Sequence, residues 1–341
     1  MDKLGLGLIG CGWAARYLHM ASYNGVLENK AVCDIDRSRM ERFKDDFGFE
    51  KGYLDWMSLL KDPGVDIVSL CVPASKRLEI IKPAAELGKH IFVEKPLAWN
   101  LEEAVESVET CEKHGVKLAV ADQYRFFPQI ITIADLMRKN IIGRPFAGLM
   151  EVMVFYDFPP YPGQERGFVV EMVTHNIDLL RYIMDEDVVQ VYSRMGKSPS
   201  RRQDDAREFW NAMTLTFESG CVVQFFNSWD CLGFETPSGR PEGRLHLECE
   251  KGTVFLNKDD DTLLMVYSTD LNGWLKPRIT PELKKQDVEA YGTGESMRKF
   301  VNSVENNVMH PVSGREYLKT LKVTFAAYDS SESGEVVKLI E

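Results

Sequence analysis

The chain has 341 residues, enough for two domains or one large one, and its 52 acids against 41 bases leave a formal net charge of −11. A hydrophobic share of 44% supplies a core, and charged residues at 27% exclude a disordered chain. The acidic balance argues against a nucleic-acid or anionic-membrane binder, because neither phosphate surface attracts net negative charge.

No apolar run reaches the roughly 20 residues of a bilayer span. The stretch Met1–Gly10 is short, Gly-broken and unlike a signal peptide. The seven cysteines are odd in number and lack C-x-x-C spacing, so they read as reduced thiols of a cytoplasmic protein.

Leu4–Ile9 reads as a short buried strand, broken by Gly10-Cys11-Gly12 and followed by a helix over Trp13–Ala21. A second strand, Lys30–Asp34, leads into a polar-faced helix, Arg37–Phe47. Ile67–Val72 is an apolar run of strand length closed by Pro73, and Lys76–Leu87 is a helix ended by Gly88. His90–Val93 is another strand. Asn100 caps the next helix, with Glu103 as its capping-box partner. That helix ends near Gly115, and Lys117–Ala121 is one more strand. Short apolar strands alternating with amphipathic helices predict a doubly wound parallel sheet over residues 1–122.

Beyond Gln123 the strands lengthen and alternate: Phe146–Phe155, Ala212–Phe217, Cys221–Asn227, Leu245–Glu250 and Thr253–Leu256. Ser219-Gly220 and Lys251-Gly252 stand at hairpin-turn positions. One strong helix, Val170–Met184, lies among them, and Ser198–Asp205 reads as an exposed loop. The expectation is a second, α+β domain over 123–341 with a mostly antiparallel sheet.

Gly10-x-Gly12-x-x-Ala15 lies between the first strand and the first helix. Gly10 permits the tight turn, Gly12 lets the backbone approach a pyrophosphate, and Ala15 lets helix and strand pack closely. The helix N-terminus offers free N–H groups to the phosphates. Asp34 ends the second strand, 24 positions after Gly10 and close to the expected ~20. A carboxylate there accepts from the ribose hydroxyls and repels a 2′-phosphate, so NAD is favoured over NADP, although Arg37 and Arg39 stand near enough to accept that phosphate.

Glu94-Lys95-Pro96 follows a strand, at the end where open α/β sheets bind ligands. The Lys95 ammonium there suits an alkoxide that develops during hydride transfer; a solvated surface lysine is the other reading. Glu171, His175 and Asp178 stand at i, i+4 and i+7, which is one face of an α-helix. His175 is the natural general base, with the acids orienting its ring. A satisfied core histidine is the alternative. One His, with no nearby Cys and no second His at ligand spacing, argues against a metal site. The other histidines, His19 among them, show no such company.

These residues resemble the Gfo/Idh/MocA oxidoreductases, named for glucose–fructose oxidoreductase, inositol dehydrogenase and a rhizopine-catabolism protein. The likeness runs nearly end to end. It is carried by Gly10-Cys11-Gly12-Trp13, Cys33-Asp34, Glu94-Lys95-Pro96-Leu97, Gln123-Tyr124-Arg125-Phe126 and Glu171…His175-Asn176-Ile177-Asp178. It implies an N-terminal Rossmann domain and a C-terminal domain with an open sheet that often joins copies into a homodimer or homotetramer. It also implies a cis peptide before Pro96 and NAD(P)-dependent redox chemistry on a hydroxyl of a sugar, polyol or glycoside.

The candidate catalytic residues are therefore Lys95, His175, Glu171 and Asp178. The candidate cofactor contacts are Gly10, Gly12, Trp13, Ala14, Ala15, Asp34, Cys71, Pro73, Glu94, Lys95 and Gln123. Substrate contacts are expected from Lys95, Arg125, Tyr156, Glu171 and His175; Tyr156 belongs to an aromatic segment with Phe155, Phe158 and Tyr161. The chain departs from the family at Glu171, where Asp is usual, and at Lys76-Arg77-Leu78, where a His often stands. Two other functions fit the same residues. One is an enzyme that retains its NAD and modifies a sugar through transient oxidation. The other is a non-catalytic NAD(H) sensor, against which the presence of Lys95 and His175 counts.

Overall fold

A computed structural model of the chain describes residues 3–23, 25–155, 164, 166–197, 205, 207–231, 242–259, 262–284 and 287–339. Strands β1 Gly5–Ile9, β2 Glu28–Cys33, β3 Lys51–Tyr53, β4 Ile67–Leu70, β5 His90–Glu94 and β6 Leu118–Ala121 form one sheet in the order β3-β2-β1-β4-β5-β6. Every pair in it is parallel. The central strands are apolar throughout because helices cover both faces, so no residue of β1 or β4 faces water. The order reverses between β1 and β4, which marks the ligand crevice of a doubly wound sheet.

The expected helices hold, with refinements. Arg37–Phe47 is capped by Asp36, whose side chain accepts from Ser38 and Arg39 N–H, and it ends at Gly48 with φ 66°. Leu101–Lys113 is capped by Asn100, which accepts from Glu103 N–H at 2.8 Å. The first helix contains a π-type stretch over Ala15–Met20 before its last turn, Ala21–Tyr23. Strand β3 and the short helix Trp56–Leu60 carry too weak a pattern to be anticipated from sequence.

The second sheet is built from β7 Pro145–Met153, β8 Val188–Gly196, β9 Trp210–Phe217, β10 Val222–Ser228, β11 Arg244–Cys249, β12 Gly252–Asp259, β13 Thr262–Ser268, β14 Gly273–Leu275 and β15 Val337–Lys338. Its order is β14-β13-β12-β11-β7-β10-β9-β8-β15, antiparallel except for β7 beside β10. Gly220, at φ 85°, turns β9 into β10, as the Ser-Gly pair predicts. Alternation is strict in β9 and β11, where every second residue is buried. Of the expected loop Ser198–Asp205, all but Asp205 lies outside the described residues.

The chain divides into two units. The first holds Met1–Gln123 together with Glu289–Leu318; the second holds the other described residues from Tyr124 onward. Residues 289–318, which the expected boundary after 122 leaves in the second domain, contact the parallel sheet. The helix Val288–Glu305 sets Met297, Phe300 and Val301 into one core with Leu6, Leu8 and Phe92, and the Phe92 and Phe300 rings lie 5.5 Å apart. Such a return is invisible to a local reading, because the helix is an ordinary amphipathic one. All seven cysteines are free thiols. Among the described residues no helix is long and apolar enough to cross a membrane.

Candidate active site

In the first unit the parallel sheet brings the expected cofactor residues to one edge, since Gly10, Asp34, Cys71, Lys95 and Gln123 all follow carboxyl ends of strands. Gly10 has φ 93°, and a Cβ there would stand 2.6 Å from the Cys71 carbonyl oxygen, so only glycine fits. A Cβ on Gly12 would meet nothing within 4 Å: the space beside that backbone is open. Ala15 is fully buried, as close helix–strand packing requires. Ala14 is half-buried in the first turn of the helix, while Pro73 is exposed and leads into the turn Ala74–Lys76.

Asp34 accepts from Cys11 N–H at 2.8 Å through Oδ2 and from Asp36 N–H at 2.9 Å through Oδ1. Its carboxylate is thereby locked to the glycine turn, with spare lone pairs on both oxygens. Beside it lies a cavity of about 580 Å³ lined by Gly12, Trp13, Arg16, Ser38, Arg39 and Arg42, among others. That volume suits part of a dinucleotide. Trp13 and Ile35, at 63% and 92% exposure, give this edge apolar surface. Open glycine backbone, helix N-terminus, oriented carboxylate and adjoining cavity together fit an adenine dinucleotide.

The Lys95–Pro96 peptide is cis, as the resemblance implies. The turn around it is held from two sides. Arg77 donates to the carbonyls of Val72, Glu94, Lys95 and Pro96. Glu94 accepts the Lys95 N–H at 3.0 Å. Arg77 was not among the sequence candidates. It lies within Lys76-Arg77-Leu78, and nothing in the spacing shows that a guanidinium there reaches three carbonyls of a strand end 17 to 19 residues on.

In the second unit the acid–His helix starts with a π-type stretch, Val169–Val173, and continues as Thr174–Met184. Its opening N–H groups are met by a buried acid: Glu208 accepts from Gly167 and Val169 N–H at 2.9 Å each and from the Tyr328 hydroxyl at 2.6 Å. Burial pushes the Glu208 carboxyl above its ordinary range, against the pull of those donors. The helix after the glycine turn and the acid–His helix thus both contain a π turn, a feature that recurs at functional positions.

His175 is 2% exposed, and its ring stacks on Tyr124, centroids 4.3 Å apart at 16°. Glu171 is half-buried. Asp178 is fully buried and receives Arg125 Nε at 2.5 Å, Arg125 Nη2 at 2.7 Å and the Thr320 hydroxyl at 2.8 Å. Arg125 also lies 5.7 Å from the Tyr182 ring. The expected stripe assumes a regular α-helix; Glu171 instead lies in the π-type stretch, and Asp178 is directed to Arg125 and Thr320. Tyr124, next to a sequence candidate, escaped the sequence reading as the stacking partner of His175. Tyr156, Phe158 and Tyr161 lie outside the described residues.

Comparison with known proteins agrees with this architecture. The Gfo/Idh/MocA model, described as an oxidoreductase family with an NAD-binding Rossmann fold, matches residues 4–122, and the model of its C-terminal domain matches residues 130–255. The chain is 28% identical to the uncharacterized oxidoreductase YrbE of Bacillus subtilis, covering 98% of this chain and 96% of that protein. It is 27% identical to the myo-inositol 2-dehydrogenase of Thermotoga maritima, covering 91% of each. The crystal structure of an oxidoreductase from Agrobacterium radiobacter, in complex with NAD+, L-tartaric acid and magnesium, shares the fold: TM-score 0.87 at 23% identity, with 99% of this chain and 98% of that one covered. With both family models matched, the chain belongs to the Gfo/Idh/MocA family and is an oxidoreductase built on an NAD-binding Rossmann fold.

Proposed function

We propose that the protein is a dehydrogenase that moves a hydride between NAD and a hydroxyl-bearing carbon of a sugar or polyol. The observation that carries this reading is the cis Lys95–Pro96 turn at the end of β5, held by Arg77 and Glu94 on the edge where the dinucleotide residues gather. The likeness to a myo-inositol 2-dehydrogenase supports the substrate class.

NAD, when bound, supplies the hydride acceptor. Gly10 makes the tight turn, Gly12 would give its phosphates open backbone, and Asp34 would accept from the ribose hydroxyls. That carboxylate disfavours a 2′-phosphate, so NAD is the preferred form over NADP. Lys95 places its ammonium by the substrate oxygen and steadies the charge there as the proton leaves. His175 is the general base of the second unit, its ring plane set by Tyr124. Glu171 holds a neighbouring hydroxyl, while Asp178 and Arg125 keep the helix that carries His175 in register.

The exposed face of the second sheet carries Leu149, Tyr192, Phe226 and Trp274, each more than a third exposed, and a His246–Phe255 stack at 4.3 Å. Apolar exposure of this kind marks an interaction surface, and a second copy of the chain is its occupant in this proposal, making a homo-oligomer.

The test is direct. Purified protein is denatured, and released NAD(H) and NADP(H) are quantified per chain; sugars and polyols are then screened with each added cofactor. Turnover with NAD, and a loss of two orders of magnitude or more in Lys95→Ala while NADH still binds, are expected. Unchanged turnover in Lys95→Ala would sink the assignment.

A further inference from the structure

Beneath the Lys95 turn, Glu94 meets a set of buried polar side chains, His19, Tyr23 and Ser69, that the proposed chemistry does not use. His19 has no exposed surface. Its Nε2 lies 2.8 Å from Glu94 Oε1, and its Nδ1 lies 2.6 Å from the Tyr23 hydroxyl and 2.8 Å from the Ser69 hydroxyl. The two hydroxyls are 2.9 Å apart. Glu94, 6% exposed, spends its other oxygen, Oε2, on the Lys95 N–H at 3.0 Å.

A buried ion pair is weak evidence for stability, because well-packed apolar side chains often serve as well. What such a network does supply is fixed geometry, since each member has its partners and few alternatives. The run of bonds here leads to one place. Tyr23 and Ser69 fix the His19 ring, His19 fixes one oxygen of Glu94, and the other oxygen meets the only backbone N–H of the Lys95-Pro96 pair. Arg77 holds the carbonyls of the same turn. His19 also sits on the π-type stretch Ala15–Met20, just after the glycine turn.

We propose that Glu94 is the positioning residue for Lys95: His19, braced by Tyr23 and Ser69, fixes the Glu94 carboxylate, and the carboxylate fixes the peptide from which the Lys95 ammonium extends. The proposal rests on the catalytic reading of Lys95 given above. Charge supports the geometry. Burial opposes ionisation of Glu94, yet His19, Lys95 and Arg77 hold its carboxyl below the ordinary range.

The experiment compares the wild-type chain with His19→Gln, Glu94→Gln, Lys95→Ala and the His19→Gln/Lys95→Ala double variant. Amide hydrogen–deuterium exchange reads the brace without substrate or cofactor, and Pro96, lacking an N–H, leaves the Lys95 signal clean. Because His19→Gln keeps Glu94 in place, Lys95 exchange is expected to rise about tenfold while β1 exchange is unchanged. An unchanged Lys95 rate overturns the proposal. Turnover of myo-inositol with NAD is the second readout. His19→Gln should lower kcat about tenfold with KM for NAD within about twofold, and Glu94→Gln should lower kcat at least as far. In the Lys95→Ala background His19→Gln should have no further effect. Equal losses in both backgrounds make the network merely structural and overturn the proposal. Full turnover in Lys95→Ala alone defeats the catalytic reading of Lys95, while the exchange rates still decide whether Glu94 holds its peptide. If His19→Gln does not fold, Tyr23→Phe loosens the same ring and gives the same comparison.

Discussion

Replacing Asp178 by Asn isolates what holds the acid–His helix. Three donors converge on the buried Asp178 carboxylate: Arg125 Nε at 2.5 Å, Arg125 Nη2 at 2.7 Å and the Thr320 hydroxyl at 2.8 Å. Asn has nearly the same shape, so no cavity opens. It carries one acceptor oxygen in place of two and no charge, and one donor must then face an amide NH2. Arg125 is itself only 5% exposed, so water does not replace the lost carboxylate. A hydrogen bond to a charged group contributes about 1.5–3 kcal/mol, and breaking a buried ion pair from one side costs about 3–5 kcal/mol. Asp178→Asn should therefore lower the unfolding free energy by about 3–5 kcal/mol in urea denaturation followed by fluorescence. The double variant Arg125→Met/Asp178→Leu removes both charges and should lose clearly less than the sum of its single changes. A loss below about 1 kcal/mol for Asp178→Asn would refute the structural role of the pair, since an exposed or loosely held pair contributes no more than that.

Gly12→Ala should fold with stability close to wild type, because nothing lies within 4 Å of the added Cβ, yet bind NADH at least tenfold more weakly by fluorescence titration. Gly10→Ala, at φ 93° and 2.6 Å from the Cys71 carbonyl, should instead lose more than 2 kcal/mol of stability, roughly the left-handed cost plus a clash; equal behaviour of the two variants would contradict the cradle geometry. Burial opposes a charge on His19, but Cys71 and Glu94 hold the imidazolium, raising its pKa from 6.5 to about 10. A folded value above the unfolded one means that this stability is complete below pH 6.5 and is lost as pH rises through about 10. Unfolding free energy should then fall between about pH 7 and about pH 9, by at most ~1.4 kcal/mol per unit, and fall less steeply in His19→Gln; parallel curves for the two proteins would exclude this linkage. Phe226→Glu on the exposed sheet face should leave the fold intact and shift sedimentation toward the monomer, and an unchanged sedimentation coefficient would remove that face from the proposed interface.

Local patterns reveal much of this protein. The alternation of apolar strands with capped helices over the first 121 residues, the glycine turn and Asp34 at the end of β2 are all short-range signals, and each depends on φ/ψ preference or periodicity that neighbours set. Gly220 and Asn100 act where local turn and cap chemistry place them. What stayed hidden was long-range and mostly polar. His19 reads as an isolated histidine in a helix, because its partner Glu94 lies 75 positions on. Asp178 reads as a neighbour of His175, whereas Arg125, 53 positions before it, and Thr320, 142 after, claim its oxygens. Arg77 and the helix Val288–Glu305 behave likewise, each ordinary in its own segment and assigned its work only by the sheet it meets. Hydrophobic periodicity is written along the chain, since burial needs only a face. A buried polar or charged group needs one particular partner to offset its desolvation, and spacing does not name that partner; only the folded chain brings the two together.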